Sequence, residues 1–174
     1  VHQYTDDLEY AQDCYYKLAF EGYRVCRDEA HLYAFCDILH FEMLKEIFAE
    51  AGWTVWKTPI IWSKGSTGHS PRPEYGPKRT YEAILFANKG SKRIEKLGSD
   101  VIISQSVYSG DKLHAAEKPK ELLATLAGWS FLPGSHLLDP FCGSGSLFPA
   151  IHSLGITAVG IELDEKNVGI ARDQ

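Results

Sequence analysis

The chain has 174 residues, 44% apolar and 24% charged, with a net charge of −5. That is enough length and the ordinary composition for one globular domain with a real core. No apolar run approaches the roughly 18–20 residues of a membrane span, and the start Val-His-Gln-Tyr-Thr-Asp-Asp has neither the basic head nor the apolar core of a signal peptide.

Asp6 or Asp7 caps a helix expected to run to about Phe20, with Leu8, Ala11, Tyr15, Leu18 and Ala19 on one face and Gly22 as its stop. His31–Cys36 is short, apolar and aromatic, the pattern of a buried strand. Phe41–Ala51 is an amphipathic helix ended by Gly52. Trp53–Trp62 is β-rich, and Pro59 suggests an edge or a bend. Ser63–Arg79 is a loop by its Gly, Pro and Ser content. Tyr81–Ala87 is a further apolar strand, and 88–116 is irregular apart from a short strand at Val101–Ser104.

Pro119 suits the first turn of a helix reaching Trp129. Pro133-Gly134 is a turn, and His136–Leu138 is a strand ending on Asp139. Gly143–Gly145 is a glycine turn, Ser146–Leu154 the helix after it, and Gly155 its close. Thr157–Ile161 is a strand ending on Glu162, and Asp164–Arg172 is a helix capped by Asp164. The last third therefore reads helix, strand, helix, strand, helix, the signature of a parallel α/β sheet.

Four cysteines, at 14, 26, 36 and 142, match no C-x-x-C pair and no zinc pattern. No metal site is expected. Cys14, Cys36 and Cys142 have mainly apolar or small neighbours and read as buried free thiols, which fits a reducing cytosol. Charge is uneven along the chain. Between Lys57 and Lys96 nine Lys or Arg stand against three acids, so that segment is +6 and the remainder −11. A basic segment on an acidic body can track a phosphate backbone, although a solvated basic loop has the same composition.

The chemistry concentrates in Leu137–Leu163. A strand delivers Asp139 to its carboxyl end, where open α/β sheets bind ligands. Gly143 and Gly145 let the backbone pass close to a ligand. Glu162, 19 residues after Gly143, can accept hydrogen bonds from both hydroxyls of a ribose. Phe148 stands where a dinucleotide site has its third glycine, and would obstruct close helix–strand approach. An acid before the turn also repels a pyrophosphate. The same acid suits a cofactor with an amino group, a sulfonium and no phosphate.

These residues resemble a known family. Asp139-Pro-Phe-Cys-Gly-Ser-Gly-Ser is similar to the methionine-cofactor motif of the adenine-N6 and cytosine-N4 DNA methyltransferases, and Gly160-Ile-Glu-Leu-Asp to their ribose-binding motif. His114-Ala-Ala-Glu-Lys-Pro resembles their H-x-x-x-K-P element, which lines the cofactor's methionine end. Glu21–Asp37, Trp53–Gly65 and Arg79–Gly90 are similar to the elements that follow the family's catalytic motif. The order, with the catalytic side first and the cofactor side last, is the permuted β-type arrangement.

The resemblance implies a Rossmann-like S-adenosylmethionine-dependent methyltransferase fold, an α/β fold with a mostly parallel sheet and helices on both faces. It implies one domain over 1–174, with a catalytic-side half at 1–90 and a cofactor-binding half at 114–174. The cofactor would be S-adenosylmethionine, held by His114, Lys118, Pro119, Asp139, Pro140, Phe141, Gly143, Gly145, Glu162 and Leu163. The partner would be DNA, facing the loops 63–79 and 88–116 with Lys64, His69, Arg72, Lys78 and Arg79 on its phosphates or base edges. His69, Tyr75 and Tyr108 are candidates to stack or wedge. A cytoplasmic location, in a bacterial or phage-infected cell, goes with that reading. Oligomeric state stays open.

The family positions its target amino group with a D/N/S-P-P-Y/F/W motif, whose aromatic ring stacks on a flipped-out base. None of the eight prolines here is adjacent to another, so no residue is assigned as catalytic. The expectation is a fragment that begins just downstream of that motif, lacks the N-terminal strands of the sheet and is inactive alone. The absence of an initiator Met accords with a start inside a longer reading frame or with processing. Alternative readings are a methyltransferase of the same fold acting on RNA or protein, and a non-catalytic or degenerate prophage module that binds nucleic acid. A nicotinamide enzyme is more distant.

Overall fold

In the computed structural model, which describes residues 8–68, 72–106 and 117–174, helix α1 runs over Leu8–Val25. It passes straight through Gly22, which the sequence marks as a stop. The helix continues because its end is set by tertiary contact. A Cβ at Gly22 would lie 3.8–3.9 Å from Trp53, Leu18 and Leu32, so this glycine faces a packed neighbour while keeping ordinary helical backbone.

The chain divides into two units, Val1–Trp62 with Tyr81–Arg93 and Ser63–Thr80 with Ile94–Gln174. In the first, α1 is followed by β1 (Ala30–Cys36), a short 3-10 turn at Ile38–His40, α2 (Phe41–Glu50), β2 (Thr54–Val55), β3 (Ile60–Ser63) and β4 (Tyr81–Lys89). Asp37 caps the 3-10 turn by accepting from Leu39 N at 3.0 Å.

Strand β4 is the centre of this unit. It pairs antiparallel with β1, Ala34 opposite Leu85 and Cys36 opposite Ala83, and antiparallel with β2, Val55 opposite Ala87. β3 is also its neighbour. The mostly parallel sheet expected from the sequence therefore does not extend to these pairs. β1 and β2 run the same way because α2 carries the chain back between them, as a parallel crossover requires. β4, reached after β3, runs opposite to both β1 and β2.

Alternate residues of β4 then face one core. Ala83, Leu85 and Ala87 pack with Ala34 and Cys36 of β1, Ala19 of α1, Leu44 and Phe48 of α2, and Trp53. Trp53 Nε1, buried in that core, donates to Ala19 O at 2.9 Å, so its one polar group is satisfied. The other face of the strand carries Phe86, whose ring meets those of His31 and Tyr33.

The second unit holds β5 (Val101–Ile103), α3 (Lys120–Ser130), β6 (His136–Asp139), α4 (Leu147–Ile151), β7 (Thr157–Gly160) and α5 (Glu165–Arg172). The helix–strand alternation read from the sequence is present here, and β6 and β7 are parallel, with Asp139 opposite Gly160. One face of the pair, through Leu137 and Ala158, packs on Ala127, Leu147 and Ile151 of α3 and α4. Helix α4 is shorter than expected. It gives way to a 3-10 turn at His152–Leu154, closed by Gly155 in the left-handed conformation (φ +64°). Asp164 caps α5 as expected, accepting from Lys166 N at 2.8 Å.

The four cysteines are free thiols, but only Cys36 is buried; Cys14 and Cys142, expected inside, are half-buried. Burial pushes the Cys36 thiol up to about 11. Among the described residues no helix is long and apolar enough to cross a membrane, and no group of His, Cys, Asp and Glu is placed to hold a metal ion.

Candidate functional site

Asp139, Pro140, Phe141, Gly143, Gly145, Glu162 and Leu163, seven of the candidate cofactor residues, lie where β6 and β7 end. Pairing continues past the strands: Ile161 N donates to Asp139 O at 2.8 Å, and Cys142 N donates to Ile161 O at 3.0 Å. These two bonds carry Glu162 across to the glycine turn. Glu162 Oε2 accepts from Gly143 N at 2.9 Å and Oε1 accepts from Asp164 N at 2.8 Å. The turn closes on itself, with Gly145 N donating to Cys142 O at 2.8 Å and Phe148 N to Gly145 O at 3.0 Å.

The turn needs its glycines for two different reasons. Gly143 (φ +52°) and Gly145 (φ +78°) occupy the left-handed region that side chains disfavour. At Gly145 space is also short, since a Cβ would stand 2.9 Å from Ala171 Cβ and from Phe148 Cδ2. That crowding comes from the protein's own helices, α4 and α5.

Phe148 does not obstruct the helix–strand approach, contrary to the expectation from the sequence. Gly160 on β7 makes the room: a Cβ there would meet Phe148 Cζ at 2.6 Å and Cys142 Sγ at 2.8 Å. The small residue stands on the strand rather than on the helix. Cys142 and Gly160 stand in the motifs quoted from the sequence, which gave neither a packing role, and Ala171 was not singled out.

Asp139 Oδ1 accepts from Phe141 N at 3.1 Å, and its other oxygen accepts no hydrogen bond among the described residues. Burial raises its pKa above the ordinary aspartate value; the Phe141 N–H opposes that, and the nearby Glu162 carboxylate adds to it. The Cys142 thiol is raised by burial first and then by the same two acids. Two neighbouring acids, one with an open acceptor, favour a ligand that brings positive charge and donors. They disfavour a phosphate.

Phe141 and Leu163, adjoining these acids in sequence, are 61% and 77% exposed. They present exposed apolar surface beside the turn. Pro140 is half-buried within the turn. Lys118 is half-buried, and Pro119 is buried as the N-cap residue of α3, its carbonyl accepting from Leu123 N at 3.2 Å. α3 packs on α4, the helix that leaves the glycine turn. His114 lies outside the described residues.

The candidate DNA residues form a second group, on the loop after β3. Arg72, Lys78 and Arg79 are exposed and Lys64 is half-buried; His69 lies outside the described residues, as does Tyr108. The loop is cross-tied by Lys64 N to Thr80 O at 2.7 Å and Lys78 Nζ to Ser66 O at 2.6 Å. Tyr75 is 81% exposed in the turn that follows Arg72. In the other candidate loop, Glu95 N donates to Trp129 O at 2.7 Å, so that stretch is anchored on the end of α3.

The parallel pair with its glycine turn and paired acids defines a Rossmann-like fold of the methyltransferase type. Solved structures share that fold. M1.HpyAVI in its SAM complex superposes with a TM-score of 0.79 at 19% identity, covering 97% of this chain and 83% of that one. The cytosine-N4-specific PvuII DNA methyltransferase does so with a TM-score of 0.79 at 14% identity, covering 99% and 73%.

Residues 98–173 match the N6/N4 DNA methylase family. The type II methyltransferase M.SmaI of Serratia marcescens is 29% identical over 143 residues, 71% of this chain and 47% of that protein. M.HinfI of Haemophilus influenzae is 36% identical over 136 residues, 64% of this chain and 37% of that protein. Over residues 98–173 the chain is similar to the N6/N4 DNA methylases. It spans less than half the length of these two relatives.

Proposed function

We propose that the protein transfers a methyl group from S-adenosylmethionine to an exocyclic amino group in DNA, N6 of adenine or N4 of cytosine. The observation that carries the reading is the acid pair Asp139 and Glu162, tied to the glycine turn by hydrogen bonds, within the segment that matches the family. When bound, the cofactor supplies a methyl group on a sulfonium. Asp139, one of whose oxygens accepts no hydrogen bond among the described residues, is assigned to its amino-acid end and Glu162 to its ribose. Phe141 and Leu163 are assigned to the adenine ring, Gly143 and Gly145 to close backbone approach, and His114, Lys118 and Pro119 to the methionine end.

DNA is the proposed partner, with Lys64, His69, Arg72, Lys78 and Arg79 on the phosphates or base edges. Each phosphate contact removed from a duplex complex lowers the slope of log affinity against log salt by about 0.9. We read the organisation as one methyltransferase domain, with the catalytic side in 1–90 and the cofactor side in 114–174. A cytoplasmic place goes with a DNA substrate.

No D/N/S-P-P-Y/F/W tetrad stands in these 174 residues. We therefore assign the amino-positioning step to none of them, and propose that they do not turn over alone. The test uses the full-length protein and the 174-residue chain side by side. Calorimetry with S-adenosylmethionine is combined with methyl transfer to DNA, read by nucleoside mass spectrometry. The expected result is N6-methyladenine or N4-methylcytosine from the full-length protein only. Cofactor binding without DNA methylation by the full-length protein would overturn the enzymatic reading in favour of a non-catalytic nucleic-acid-binding module. Methylation of RNA or protein instead would overturn the substrate class.

A further inference from the structure

We infer that Glu162 is a positioning residue for the glycine turn, and acts on cofactor binding through Gly143 as well as through any bond of its own to the ribose. The inference rests on the cofactor assignment above. Its starting point is that the protein's own carboxylate holds the turn. Both oxygens of Glu162 are engaged by backbone amides, Gly143 N at 2.9 Å from one side and Asp164 N at 2.8 Å from the other. The carboxylate thus joins the first glycine of the turn to the cap of α5.

Three features make this a fixed arrangement. Ile161, the residue before Glu162, is locked on both its backbone groups, its N–H donating to Asp139 O and its carbonyl accepting from Cys142 N. Gly143 sits at φ +52°, a conformation a glycine is free to leave, so an external bond to its N–H selects one of several accessible states. The bonds are charge-assisted, the stronger class of backbone hydrogen bond.

An ionised carboxylate has about four acceptor sites, and two are filled here, so capacity remains for ribose hydroxyls. A ligand that meets a turn already in place does not have to order it. Glu162 then contributes even where a ligand offers no hydroxyl to bond.

That consequence separates the positioning role from direct contact. The experiment uses the full-length protein with Glu162→Ala and Glu162→Gln, each checked for folding by circular dichroism. The first readout needs no cofactor: amide hydrogen exchange at Gly143 in the free protein. Glu162→Ala should speed exchange there at least ten-fold, and Glu162→Gln, which keeps one carbonyl acceptor, by less. The second readout is calorimetry with S-adenosylmethionine and with its analogue lacking both ribose hydroxyls. Glu162→Ala should weaken the analogue's binding at least five-fold. Unchanged Gly143 exchange in the folded variant would overturn the inference, as would an affinity loss that vanishes with the analogue. If the wild-type protein binds neither compound, the cofactor assignment fails, and the Gly143 exchange still decides whether Glu162 holds the turn.

Discussion

The ring of Phe148 lies over Gly160, so close that a Cβ on that glycine would stand 2.6 Å from Phe148 Cζ. This contact sets how the helix after the glycine turn meets the strand that brings Glu162. Gly160 does not occupy the left-handed region, so its requirement is one of space alone. Gly160→Ala should destabilise the protein by about 1–3 kcal/mol, the scale of overpacking. Phe148→Leu should recover part of that loss when combined with it. Denaturant unfolding of the two single variants and the double variant checks this, and independent, additive losses would show that the two sites do not touch.

Asp139 gives a pH-dependent prediction. Its pKa in the folded chain is raised, chiefly by burial. A raised carboxyl favours the folded state most fully below its unfolded pKa, and that contribution is lost as pH rises through the folded value. Asp139→Asn removes the charged form. The stability of the variant relative to wild type should therefore grow as pH is raised from about 4 toward 7, in the range above the ordinary aspartate pKa. The same variant should bind S-adenosylmethionine at least ten-fold more weakly. Thermal unfolding across pH and calorimetry at pH 7 measure the two effects separately. A relative stability that stays flat or falls as pH rises would contradict the first, and unchanged affinity the second.

Lys89 closes the end of α1. Its ammonium donates to Tyr23 O and to Cys26 O, both at 2.8 Å, and lies 4.5 Å from the centre of the Tyr23 ring. The last carbonyls of a helix carry partial negative charge and need donors. With a side chain only 12% exposed, Lys89 cannot simply be replaced by water. Lys89→Met should cost about 1.5–3 kcal/mol, the scale of hydrogen bonds to a charged group. Urea unfolding reads this directly.

Gly22 yields the opposite sign. It sits in helical backbone, and the contacts a Cβ would make, at 3.8–3.9 Å, are ordinary van der Waals distances. Gly22→Ala should stabilise by about 0.5–1 kcal/mol through the lower backbone entropy of alanine in the unfolded chain. A lower midpoint of unfolding would show that Trp53 or Leu32 had been displaced.

The sequence by itself determined the elements whose signals are local. Apolar and aromatic composition placed β1, an amphipathic pattern placed α2, Pro119 placed the start of α3, and glycine punctuation placed the turn at 143–145 and the stop at Gly155. Asp164 announced its own helix cap. The places of the two acids proposed for the cofactor were visible too, because Asp139 and Glu162 stand at fixed distances from strand ends and glycines.

Relations between distant residues were decided only by the tertiary structure. Whether Gly22 ends a helix depends on what packs against it, and Trp53 lies 31 residues away. The direction of β4 against β1 and β2 is a property of the whole path rather than of any window. The fit of Phe148 depends on Gly160, and the hold of Glu162 on Gly143 depends on the register of a parallel pair. Side-chain type and local spacing act over a few residues of backbone, whereas space, register and shared hydrogen bonds exist only once the chain has folded back on itself.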